Sequence, residues 1–175
     1  MKKTLLSTAL VAVMAAVAFA PTAQATPASG TITIKGTVLA DTCTVDVNGG
    51  ADVVLPSVMT GALATAGTTA GDTSFSIGLS ACDTNAIGAT MVFNGGNIDS
   101  TTGYLNNTGS ATNVKVQLLN SADAVINTSD NTNAPVIALA NGTGTTSLKA
   151  RYVAVGGAAT AGLVQTSVGF TLTYL

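Results

Sequence analysis

The chain has 175 residues, 47% of them apolar, 8% charged and 4% aromatic, with no His and no Trp. Every acidic residue is Asp, so His and Glu, the groups that acid–base chemistry near neutral pH uses most, are both missing, and two Cys do not make a zinc cluster. The formal net charge is −2, which argues against nucleic acid, whose binding needs a clustered basic stripe.

In chain order, Lys2 and Lys3 precede an apolar run over residues 5–19 and the small-residue triplet Ala23-Gln24-Ala25. This is the pattern of a secretory signal cleaved after Ala25, with Ala18-Phe19-Ala20 as a second cut site, and the run is too short for a membrane span. Residues 1–25 are expected to be removed, and because two of the six cations leave with them, the mature chain is more acidic. The remaining cations, Lys35, Lys115, Lys149 and Arg151, are scattered, which also disfavours an anionic membrane surface. Residues 26–30, with Pro27, read as a leader.

From there on, period-two alternation recurs in short blocks separated by Gly, Asn, Asp, Ser and Thr, the pattern of an all-β sandwich. The blocks are Ile32, Ile34 and Val38; Phe75, Ile77 and Leu79; Ala89, Met91 and Phe93; Val114, Val116 and Leu118; Leu148, Ala150 and Tyr152; and Val168, Phe170, Leu172 and Tyr174. Turn pieces such as Asn48-Gly49-Gly50 and Asn94-Gly95-Gly96 separate them and supply residues tolerant of positive φ. Residues 59–71, rich in Ala, Thr and Gly, are left open between a helical turn and a loose connection. Export through an oxidising compartment makes Cys43–Cys82 the expected disulfide, worth about 4 kcal/mol for a loop of this length in the chain-entropy model.

The two terminal strands pose a question. The last one, with Val168, Phe170, Leu172 and Tyr174 on one face, runs to the end of the sequence, and a bare apolar edge is an aggregation hazard that something should cover. The first places Gly30, Ile32, Ile34, Gly36 and Val38 on one face. It can pair within its own chain or lie on a neighbour's sheet as an added strand, and alternation alone does not choose.

Thr31-Ile32-Thr33-Ile34-Lys35-Gly36-Thr37-Val38, Cys43, Cys82-Asp83-Thr84-Asn85, Ala111-Thr112-Asn113-Val114-Lys115-Val116-Gln117-Leu118-Leu119, Ala150-Arg151-Tyr152 and Tyr174 together give a chain that resembles the major structural pilins of the chaperone–usher class, close to type 1 fimbrial subunits. The resemblance implies an immunoglobulin-like β-sandwich lacking its final strand, whose groove is filled first by a periplasmic chaperone and then by the N-terminal extension of the next subunit. On that basis residues 26–40 are the donor extension and residues 41–175 the incomplete domain. Ile32, Ile34 and Val38 are donor side chains, Gly36 is the small residue where the strand approaches the acceptor closely, and Gly30 marks its distal end. Val168, Phe170, Leu172 and Tyr174 line the acceptor groove, and the carboxylate of Leu175 meets basic residues of the chaperone. Leu175 is a mild departure, since family members often end in a polar residue.

The implied function is a structural subunit of a cell-surface fimbrium, exported to the periplasm, polymerised by strand donation with an outer-membrane usher, and supporting adhesion. Its partners are identical or related pilins, the chaperone and the usher, with no nucleic acid, small-molecule substrate, cofactor, metal or catalytic residue. The alternatives are a minor or adaptor pilin and a self-contained secreted β-sandwich binding module. The weaker motifs have plainer explanations. Asp41, Asp46 and Asp52 lack the distal Glu of a calcium loop, and Asp99, Asp123 and Asp130 sit in turn-forming contexts. Asn106, Asn127 and Asn141 match a short glycosylation pattern. Tyr104 is the one Tyr expected outside the core strands, and Lys35 and Arg151 are expected to face solvent or a subunit interface.

Overall fold

The computed structural model describes residues 32–36, 38 and 43–175. The strands in chain order are β1 (Thr44–Val47), β2 (Thr69–Ser80), β3 (Gly88–Asn94), β4 (Leu105–Asn106), β5 (Val114–Leu119), β6 (Val125–Ile126), β7 (Val136–Ala138), β8 (Gly144–Ala154) and β9 (Gly169–Tyr174). The only helical pieces among the described residues are two 3-10 turns, Asn48–Gly50 and Thr60–Leu63.

The long alternating blocks form the frame. β2 pairs antiparallel with β8, and β8 with β5, so that Phe75 faces Leu148 and Leu118 faces Ala150 across the ladders. The full order of this sheet is β1-β2-β8-β5-β4, with β6 on the second half of β5. The opposing sheet has the order β7-β3-β9. Period two then decides which side chains meet. Ile77, Leu79, Leu148, Ala150, Val116 and Leu118 from the first sheet pack with Ala89, Met91, Phe93 and Ile137 from the second in one buried cluster. Phe93 and Phe170 add a tilted aromatic pair with centroids 6.4 Å apart. A satellite cluster of Leu63, Ala111, Val114, Ala154 and Ala159 closes the end beneath the Thr60–Leu63 turn, which resolves the stretch left open in the sequence.

Ile137 and Leu148 show no more than 1% exposure. Ile137→Ala or Leu148→Ala is therefore expected to lower stability by about 2–5 kcal/mol through lost burial and a residual cavity, measurable as the shift of a urea midpoint. Gly142 depends on its lack of a side chain for two reasons. Its φ is +73°, and a Cβ there would lie 2.7 Å from the carbonyl oxygen of Cys82, whose N–H donates to the Gly142 oxygen at 3.0 Å. Gly142→Ala should cost at least about 1–2 kcal/mol from the left-handed backbone alone, seen as a lower melting temperature.

The charged residues are mostly used internally. Lys115 pairs with Asp99, and Lys149 with Asp123 at 2.5 Å. Arg151, expected to face solvent or another subunit, is partly exposed, donates from Nε to Oε1 of its cross-strand neighbour Gln117 at 2.9 Å and lies 3.6 Å from Asp72 in the β2 bulge. The Asp residues read as turn formers behave so: Asp99 accepts from the N–H groups of Thr101 and Thr102, and Asp46 from that of Gly49. Asp130 accepts from the Thr132 N–H, and that bond is the first cause holding its carboxyl below the usual range. Tyr104 is half-buried rather than exposed, and its carbonyl accepts from the Asp99 N–H.

Candidate functional site

β9 is hydrogen-bonded on one side only, to β3, with Phe170 opposite Phe93, Leu172 opposite Met91 and Tyr174 opposite Ala89. No strand among the described residues occupies its other edge. In the facing sheet β1 is likewise an edge, paired among the described residues only with β2 and exposed along all four residues. Between these edges runs a groove of about 1240 Å³ whose floor includes Phe75, Ile77, Met91, Phe93 and Leu148 and whose rim includes Val53, Leu55, Val164, Val168 and Phe170. A smaller depression of about 510 Å³ continues it between Val45 and residues 170–174.

The walls are two extended segments of opposite direction. On one side residues 164–174 alternate between half-buried and exposed, with Val164, Thr166, Val168, Phe170, Leu172 and Tyr174 turned inward. On the other, Val53, Leu55 and Val58 are half-buried while Asp52, Val54 and Met59 are exposed, and residues 51–59 belong to no strand. Cys43 N–H reaches the Tyr174 hydroxyl at 3.3 Å at one end, and Val58 and Val164 join the same satellite cluster at the other. The Cys43–Cys82 disulfide, with Cα atoms 4.2 Å apart, ties the start of the β1 wall to the residues just past β2.

Within the groove lining, Thr166 Oγ1 is the one buried side-chain polar atom among the described residues without a hydrogen-bond partner. Such groups are costly and are normally satisfied. Tyr152 also lines the groove, and burial pushes its phenol up. The folded state then holds the proton more tightly than the unfolded chain. This contribution is complete below the ordinary phenol value near pH 10 and is lost as pH climbs from there through the raised value of the folded state.

The sequence-derived site residues sort cleanly. Val168 and Phe170 line the main groove, and Leu172 and Tyr174 the smaller depression. Leu175 lines neither: its N–H donates to the Gly88 oxygen at 2.9 Å and its oxygen accepts from the Ile87 N–H at 3.0 Å. Ile32, Ile34 and Val38 belong to no strand and are 88%, 89% and 96% exposed. Gly36 is exposed as well, and Gly30 lies outside the described residues, as do the signal segment and its cut sites. The opposite wall, Val45 with Val53, Leu55 and Val58, is what sequence reasoning missed. Its signal was present in Val53-Val54-Leu55 just after the Asn48-Gly49-Gly50 turn.

The family profile described as "Fimbrial protein" matches residues 32–175. The chain belongs to the fimbrial protein family. Among curated relatives, the major fimbrial subunit SMF-1 of Stenotrophomonas maltophilia is 39% identical over 171 residues, covering 86% of this chain and 95% of the relative. The type-1 fimbrial protein A chain of Escherichia coli is 37% identical, covering 97% and 98%. Among solved structures, the P pilus rod subunit PapA superposes with a TM-score of 0.58 at 22% identity, covering 83% of this chain and all of that one. A chaperone–usher pilus structure concerned with rod uncoiling superposes at 0.61 and 21% identity, covering 87% and 100%. The fold of this fimbrial protein is thus the immunoglobulin-like pilin sandwich without its final strand. As a member of the family it is a structural subunit that assembles with other pilins in a cell-surface pilus.

Proposed function

We propose that the subunit polymerises by donor-strand exchange: residues 30–38 of one copy lie in the groove of another, with Ile32, Ile34 and Val38 turned onto the floor and Gly36 at a close approach. The observation that carries this is the complementarity of two unsatisfied pieces of one sequence. The groove exposes an apolar floor beside an unpaired strand edge, and the extension carries large aliphatic side chains at period two that are nearly fully exposed. Each aliphatic side chain buried contributes about 1.5–3 kcal/mol and each main-chain hydrogen bond about 0.5–1.5 kcal/mol net.

Residues 1–25 act as the export signal, 26–40 as the donor extension and 41–175 as the acceptor domain. Before assembly a periplasmic chaperone covers the groove, since an open apolar edge would otherwise aggregate, and an outer-membrane usher exchanges it for the next subunit. The chaperone's basic residues receive the Leu175 carboxylate, outside the groove itself. The protein serves as a passive, non-enzymatic fibre element that supports adhesion.

The test is deletion of residues 30–38. The shortened subunit accepts a strand but donates none, so secreting cells should carry no fibres, and co-expression with the intact chain should shorten fibres. Normal fibres from the shortened chain alone would refute the proposal, and a soluble monomer with unchanged melting would favour a self-contained module.

A further inference from the structure

The groove's charges suggest how the joint fixes its register. Outside the signal segment the chain has four cations, and Lys115, Lys149 and Arg151 are paired to Asp99, Asp123 and Asp72 of the same chain. Lys35 is exposed and enters no ion pair among the described residues. Among the acids lining the groove, Asp46 uses its carboxylate on the Gly49 N–H and lies on the outer face over Gly78. Asp52 is different. It lines the groove and is exposed, and only its main-chain oxygen is engaged, by Asn48 Nδ2 at 3.3 Å.

We propose that Lys35 of one subunit pairs with Asp52 of the subunit that receives it, and that this ion pair sets the register of the donated strand. The inference rests on the donor-strand reading. Position supports it without assuming a strand direction. The Asp52 wall runs from Val45, beside residues 170–174, to Val58, beside Val164, so Asp52 stands about half-way along. In residues 30–38 the centre is Ile34, and Lys35 is one residue away, about 3.3 Å. Orientation agrees too. With Ile34 and Gly36 facing the floor, Lys35 faces out, as Asp52 does beside the inward Val53. Same-face neighbours on adjacent strands are about 5 Å apart at Cβ, within reach of an ion pair. A slip of one residue would turn the apolar set outward. A slip of two preserves the faces, and besides bringing Ile34 or Val38 to the close approach held by Gly36 it displaces Lys35 from Asp52 by about 7 Å.

The test uses fibres of the full mature chain carrying Lys35→Glu, Asp52→Lys or both, with dissociation in denaturant followed at low and at 1 M salt. Each single reversal should speed low-salt dissociation about two- to fivefold, the double variant should return to within twofold of the parent, and 1 M salt should erase the differences. Neutral Lys35→Gln and Asp52→Asn forms supply the same coupling measurement if a reversed charge prevents fibre formation. Additive effects, unchanged single variants, or rescue of Lys35→Glu by Asp46→Lys instead of Asp52→Lys would overturn the assignment. Ile34→Asp separates the two levels: fibres from that variant would sink the donor-strand reading itself, whereas their absence together with uncoupled charges would sink only the ion pair.

Discussion

Replacing both Ile32 and Ile34 with Asp should abolish fibre formation while leaving the melting of the domain unchanged. The two side chains are 88% and 89% exposed, so their loss removes nothing from the fold that carries them. At the joint the loss is large. Two aliphatic side chains each forgo about 1.5–3 kcal/mol of burial, and two carboxylates must either be desolvated over a floor containing Met91 and Phe93 or hold the strand out of the groove. The sum exceeds a thousandfold in the equilibrium. The variant still presents an intact groove, so it should bind a donor peptide normally. A gel assay for detergent-resistant ladders reads the first expectation and peptide binding the second. Ladders of normal length would contradict the account.

The second large effect is expected at Cys43 and Cys82. β1 is four residues long, exposed throughout and, among the described residues, paired with β2 alone, so the disulfide is the main restraint on this groove wall besides that ladder and the Cys43–Tyr174 hydrogen bond. Breaking a link between residues 39 apart costs about 4 kcal/mol in the chain-entropy model, a large part of the roughly 5–15 kcal/mol that a domain has. Cys43→Ser with Cys82→Ser, or reduction of the exported chain, should lower the melting temperature by about 10 °C, given roughly 2–4 °C per kcal/mol at this size. Fibre yield should fall with it, because Val45 beside residues 170–174 loses its support. A melting temperature within about 2 °C of the parent would show that β1 is held by other means.

The long strands were readable because each presents three or more apolar side chains at period two to a single core: Ala89, Met91 and Phe93 in β3 are at most 5% exposed, as are Ile77 and Leu79 in β2. β4, β6 and β7 have two or three residues each, too few for a period to show, and they exist because longer neighbours offer them an edge. One half of the site was equally legible. Val168, Phe170, Leu172 and Tyr174 announce an apolar strand that needs a cover. The other half was hidden because residues 51–59 form a wall without forming a strand, and nothing in the local pattern separates an unpaired wall from a loop. For Arg151 the outward direction was legible but the partner was not: the β2 bulge brings Asp72 to within 3.6 Å of it, and no local pattern shows that.

The central claim is that the groove accepts the sequence 29–39 in trans, and the direct measurement is the melting of the mature chain carrying Ile32→Asp and Ile34→Asp, whose own extension cannot fill a groove, with and without a synthetic peptide of the native residues 29–39. The account predicts a rise of about 5–10 °C at saturating peptide, lost when Ile32 and Ile34 of the peptide are replaced by Asp. A melting temperature indifferent to the peptide, or equally raised by the Asp-substituted one, would contradict it.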